Sequence, residues 1–176
     1  MLKAGVWVLV IIFAGIAGWS DLRRRRIPNW LTVPGLVAGI VANSVVSGWP
    51  GARSSLLGAG LGLGLLLPFV LIRSFGAGDW KLVGAMGALL GTRDLIVVLA
   101  GTVVVNAVIA LFLVVWKKRV RQTLRNIGLL AGSLISLRMP APELSIDHPE
   151  ALKVPFGVAM GITTIVYGGS MMWRMY

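Results

Sequence analysis

The sequence predicts an all-α integral membrane protein, and three observations carry the prediction. Of its 176 residues, 57% are hydrophobic; only 13% are charged, at a mean hydropathy of +0.87; and those charges stand in the gaps between long apolar runs. A chain of this size has no interior able to hide so much apolar surface from water.

The elements follow in order from the uncharged stretches. Residues 4–20, 27–52, 54–72, 95–116 and 154–173 are each near or above the roughly 17 residues that cross about 30 Å of hydrocarbon. A sixth stretch, 82–92, has eleven uncharged residues, about 16 Å of helix, and is too short taken alone. Charge bias decides in favour of its crossing. With six spans and both termini outside, the inner face receives Arg23 to Arg26, Arg73, Lys81, Lys117, Lys118, Arg119, Arg121, Arg125, Arg138 and Lys153, and only Lys3, Arg53, Arg93 and Arg174 lie outside. The fourth helix then begins before Lys81, which puts Asp79 in its first turn.

The first stretch resembles a signal peptide, but Trp19-Ser20-Asp21 followed by four arginines is a poor cleavage site, so it reads as a retained span. Between the fifth and sixth spans, residues 117–153 form a large cytoplasmic loop. Its apolar middle, 127–137, reads as an interfacial helix, and the part through Pro140, Pro142 and Pro149 as irregular loop. No internal repeat stands out, and residues 1–176 read as one domain. The expected location is the cytoplasmic (inner) membrane, multi-pass.

Several function classes drop out. The formal charge of +11 suggests nucleic acid, but the cations sit at span boundaries and point to the lipid bilayer instead. With no cysteine and one histidine, His148, no thiolate or histidine metal site is expected, and no cofactor. The run from Gly58 to Gly64 is no phosphate loop, since no lysine or strand pattern accompanies it. Its glycines, like the pairs Gly58 with Gly62, Gly60 with Gly64, and Gly87 with Gly91, have the four-residue spacing that lets membrane helices approach closely. Asn43 and Asn106 are expected to bond between helices.

Two of the six carboxylates, Asp21 and Asp79, fall where apolar runs meet the inner surface. Each has a structural alternative. Asp79 can serve the start of a helix after Gly76 and Gly78, and Asp21 can pair with Arg24 or Arg25. Asp94, on the outer side, reads as a cap, and Asn29, after Pro28, as the cap of the second span. Neither alternative explains why the two acids of this layer share one side. Two carboxylates brought within about 3 to 6 Å cannot easily both ionise. The ionised one can deprotonate water while the protonated one polarises a carbonyl, which is aspartic protease chemistry and needs no metal.

Asp21 with the downstream Ile27-Pro28-Asn29, then Gly76-Ala77-Gly78-Asp79 followed by Lys81 and Leu82, then Pro155-Phe156-Gly157 with Ala159 and Gly161, resemble in that order the type IV prepilin peptidases. These are membrane aspartic proteases of the G-x-G-D class. The resemblance implies that Asp21 and Asp79 are the catalytic pair. It also implies that the substrates are prepilins, and pseudopilins as further candidates, with a short basic leader cut at the cytoplasmic surface. Longer bacterial members carry an amino-terminal segment with paired cysteines and amino-methylate the product; leader removal without a methyl donor is the expectation here. The short form is similar to the peptidases of Tad/Flp pilus systems, and archaeal prepilin peptidases are short as well.

Other residues are assigned supporting parts. Gly76 and Gly78 permit backbone approach to an extended substrate, Lys81 snorkels or orients the loop, and Pro155, Phe156 and Gly157 shape the entrance or simply start a helix. Glu143, Asp147 and Glu150 read first as solvated loop and second as a surface for a basic leader. The rivals are a proton-coupled transporter and a non-catalytic pilus-assembly scaffold. A relay places ionisable groups near mid-membrane, where this chain has none. The sequence sets no oligomeric state.

Overall fold

The computed structural model describes residues 2–71, 75–118, 121, 123, 125, 128, 129 and 155–175. Among them are four long helices and no strand: α1 (Leu2–Arg24), α2 (Asn29–Leu71), α3 (Ala77–Trp116) and α4 (Phe156–Trp173). All four are long and apolar enough to cross a membrane. Many of their large side chains, among them Ile12, Trp30, Val41, Leu57, Val104 and Phe112, face outward; Leu82, Met86, Leu89, Leu95 and Met160 are buried together with many small residues, among them Gly39, Ser55, Gly58, Ala59, Gly62, Gly87 and Ala88. Outward bulk with small residues inside suits a hydrocarbon solvent, in which close backbone packing drives association.

Six apolar stretches become four helices because two helices continue through a single reversed glycine. Straight, the 43 residues of α2 would run about 65 Å, twice the hydrocarbon thickness. At Gly48, however, φ is 62° and ψ −144°, a backbone region open to glycine, and Pro50 follows. The Ser55 hydroxyl oxygen then lies 3.2 Å from the Gly39 carbonyl oxygen, two residues that a straight helix would hold about 24 Å apart. α2 is therefore a hairpin. α3 reverses likewise at Gly91, with φ 77° and ψ 176°. Its Asp94 meets Tyr167 of α4 and its Gly101 lies against Thr163, so the limb after Gly91 runs back towards the start of α4. The expected boundaries at Arg53 and Arg93 thus fall a few residues after the true turns, because charge marks the surface and glycine makes the turn.

The packing that joins the limbs is backbone to backbone. A Cβ on Gly58 or Gly87 would collide with the other's carbonyl, one on Gly39 would stand 2.7 Å from the Ala88 carbonyl carbon, and one on Gly62 would stand 2.8 Å from the Val83 oxygen. Gly60 and Gly64, by contrast, have open space beside them among the described residues. α2 packs chiefly on α3, and α1 chiefly on α4. The α1–α4 seam runs antiparallel, through Gly18 beside Gly157, Gly161 beside Ala14, and Trp7 edge-on to Tyr167 at 5.7 Å.

Asn43 behaves as expected of an interhelical residue. Its amide nitrogen reaches the carbonyls of Ala88 and Leu89 at 3.1 and 3.0 Å and the Ser55 hydroxyl at 3.0 Å. Gly91 breaks the helix just beyond those carbonyls, so Asn43 and Ser55, whose hydroxyl meets Ala88 at 2.6 Å, satisfy the end of the first α3 limb. Asn106 differs: its buried Oδ1 has no partner among the described residues. Asp94, expected to cap a helix, instead accepts the Tyr167 hydroxyl at 2.9 Å. Residues 121, 123, 125, 128 and 129 are helical. Most of the expected interfacial helix, and Glu143, Asp147 and Glu150, lie outside the described residues.

Candidate active site

One end of the bundle collects all three sequence motifs. α1 ends there: the Arg25 N–H closes on the Asp21 carbonyl at 2.8 Å, Arg25 turns to φ 49°, and the Ser20 hydroxyl holds the Arg26 carbonyl at 3.1 Å. This hook lets Ile27 fold back into the bundle, where it is buried, and lets Pro28 open α2 by accepting from Leu31 and Thr32. Asn29, expected to cap α2, has its Oδ1 bound by the Lys81 ammonium at 2.9 Å. Lys81 therefore ties the segment after Asp21 to the helix that carries Asp79.

The Gly76-Ala77-Gly78-Asp79 segment lies against that hook. A Cβ on Gly78 would stand 3.4 Å from both the nitrogen and the oxygen of Ile27, at van der Waals contact, so the two backbones lie side by side here. A Cβ on Gly76 would stand 2.9 Å from Asp79 Oδ2, so the carboxylate folds back over the glycine that opens α3. No side-chain hydrogen bond caps α3 at Gly76, and Asp79 is half-buried in its first turn. Trp80 next to it donates from Nε1 to the Leu63 carbonyl at 2.7 Å, fixing this turn on α2.

Asp21 is only 6% exposed. Its carboxylate accepts the Gly157 N–H at 2.7 Å and a second backbone bond from Val158, both in the first turn of α4. Pro155 starts that helix, and the N–H groups of its first turn have no partners within the helix. Pro155, Phe156 and Gly157 stand at the start of α4, and the Gly157 and Val158 donors of its first turn are directed to Asp21.

Asp21 and Asp79 interact electrostatically, and Arg25 is within coulombic reach of Asp21. The rings of Phe75, next to the glycine motif, and Phe156, next to Gly157, meet edge to face, centroids 4.9 Å apart. Phe75 and Val158 are the residues that sequence reasoning missed. Phe75 adjoins the glycine motif but gains meaning only from its partner on α4, and Val158 contributes a backbone atom that every residue but proline has. Among the described residues no group of three or more histidine, cysteine or carboxylate side chains is placed to hold a metal ion.

The arrangement offers two carboxylates at one end of the bundle that feel each other's charge, with backbone donors at one of them. No curated protein and no solved structure gives a significant match to the chain. A family model does match residues 8–111, more than half of the chain; its description is the type IV leader peptidase family.

Proposed function

The chain belongs to the type IV leader peptidase family, and from that premise we propose that it is a membrane aspartic endopeptidase that removes the short basic leader of Tad/Flp-like prepilins, using Asp21 and Asp79 to activate water. The observation that carries this reading is that the turns bearing Asp21 and Asp79, from helices far apart in sequence, sit at one end of the bundle, joined by the Lys81 ammonium on Asn29 and by Gly78 beside Ile27, with the Gly157 N–H on Asp21. Pseudopilins are further candidate substrates, and neither a metal nor a cofactor is needed.

The proposed chemistry balances within the pair. One carboxylate takes a proton from water as the water oxygen adds to the scissile carbonyl carbon, and the other gives its proton to the carbonyl oxygen. The tetrahedral diol then collapses. The first acid protonates the leaving nitrogen, the C–N bond breaks, and the second carboxylate recovers its proton from a diol hydroxyl. The products are a carboxylic acid and an amine, and the pair is back at its starting state.

We further propose that the six limbs are six crossings of the cytoplasmic membrane, with both termini outside and the site at the inner surface. Thirteen of the seventeen cations lie on the inner side in that topology. The test of the activity is cleavage of a co-expressed prepilin by Asp21→Asn and by Asp79→Asn. Both are expected to insert and to leave the precursor uncut; normal insertion with cleavage in either removes the pair from the mechanism.

A further inference from the structure

The fold treats the two carboxylates unequally. Asp21 is buried and accepts two backbone N–H groups, from Gly157 and Val158. The first bond inside α4 is the Ala159 N–H to the Pro155 carbonyl at 3.3 Å, so the earlier N–H groups are free to point at Asp21. An N–H can only donate, so it serves oxygen lone pairs, and charge-assisted bonds of this kind are about twice as strong as neutral ones. The positive end of α4 adds to the preference for a charge there. Among the described residues no backbone N–H donates to the Asp79 carboxylate, which lies over Gly76.

Resting on the peptidase reading, we infer that the first-turn amides of α4 position Asp21 as the water-activating partner and leave the shared proton to Asp79, and that Gly157 is the positioning residue that makes this possible. A Cβ at Gly157 would stand 2.9 Å from the Asp21 Cβ and 3.0 Å from its Oδ2. Neither atom can retreat cheaply, because the side chain is buried between α1 and α4, whose backbones touch at Gly18 and Gly157. The glycine thus lets the carboxylate reach the amides. In the proposed sequence Asp21 takes the water proton and later gives it to the leaving nitrogen, while Asp79 protonates the carbonyl oxygen and recovers that proton when the diol collapses. Among the described residues the charged groups that face Asp21 are Asp79 from α3 and Arg25 from the turn after α1; Lys81 is engaged by Asn29.

The experiment uses the purified full-length chain in proteoliposomes with a prepilin precursor. Gly157→Ala is expected to lower kcat by about 10- to 100-fold, the scale of an ångström of misplacement. KM should hold, while the crowding of the added Cβ lowers the melting midpoint by a few degrees. The acid limb of the kcat/KM profile against pH, which reports the ionised partner, should move more than the alkaline limb. Gly169→Ala, on the same helix with open space beside it, should behave as wild type. An unchanged kcat, a change in KM alone, or a moved alkaline limb with the acid limb fixed overturns the inference. If Gly157→Ala accumulates poorly, Asp21→Glu asks the same question with α4 intact: its longer side chain carries the carboxylate past the amides, and the same readouts decide. The peptidase reading is judged separately. It stands if Asp21→Asn and Asp79→Asn are both inactive, whatever Gly157→Ala does, and falls with this inference if either of them cuts.

Discussion

Asp21 and Asp79 share a residue type and differ in their partners, and partners decide what a side chain in this chain is for. Lys81 is the clearest case. Its bond to Asn29 links the Ile27-Pro28-Asn29 hook to the Asp79 turn, yet both residues are at least partly open to solvent. An exposed polar contact contributes little to stability, on the order of 1 kcal/mol or less. Lys81→Met is therefore expected to melt within a few degrees of wild type while kcat/KM for a prepilin drops about 3- to 10-fold; a melting shift with activity intact would make the contact purely structural. Tyr167→Phe should do the opposite. It removes the hydroxyl bound to Asp94, at the end of α4 away from the site, and keeps the ring on Trp7. About 1 kcal/mol of stability should be lost, with cleavage unchanged.

Each hairpin depends on one glycine and one polar knot. The positive φ with extended ψ at Gly48 and Gly91 costs a residue with a side chain about 1–3 kcal/mol, and at Gly91 a Cβ would also meet the Ser54 hydroxyl oxygen at 2.5 Å. Gly91→Ala should accordingly destabilise more than Gly48→Ala, which has open space around it. Unfolding of the two variants in mixed detergent, compared side by side, reads the difference, and equal loss would mean that dihedral strain alone matters. Asn43→Ala leaves the Ala88 and Leu89 carbonyls without its amide at the broken end of an α3 limb. A buried group left unpaired costs about 1–3 kcal/mol, so this variant should unfold earlier in the same titration. The four-residue glycine pattern was readable in the sequence, but which pairs pack was not: Gly58 and Gly62 meet α3, whereas Gly60 and Gly64 of the same run face out.

At the scale of the whole molecule, the prediction is an arrangement of ends. Trp7, Asn43, Ser47, Leu89 and Asp94 line one cavity of about 140 Å³, so the start of α1 and both reversals gather at one end. Asp21, Asp79 and the start of α4 gather at the other. Because the sequence has no cysteine, single cysteines report sidedness cleanly. In intact cells, Ser47→Cys and Arg93→Cys should react with a membrane-impermeant maleimide, and Arg24→Cys and Lys117→Cys only after permeabilisation. Labelling of Ser47→Cys and Arg24→Cys from the same side would dismiss the six-crossing topology.

The sequence by itself determined the solvent of this protein, its helical class and the addresses of its motifs, because hydropathy, charge position and residue order are properties of a line. Six apolar stretches, two boundary acids and the glycine spacing can all be read without folding anything. Only the tertiary structure decided that Arg53 and Arg93 mark turns actually made at Gly48 and Gly91, that Asn29 serves Lys81, and that Asp94 serves Tyr167. Above all it decided the partner of Asp21. The Gly157 N–H lies 136 residues along the chain, and a backbone donor carries no signature in sequence. Its availability follows from the free first turn of a helix and from glycines that let α1 and α4 touch, and both are consequences of packing.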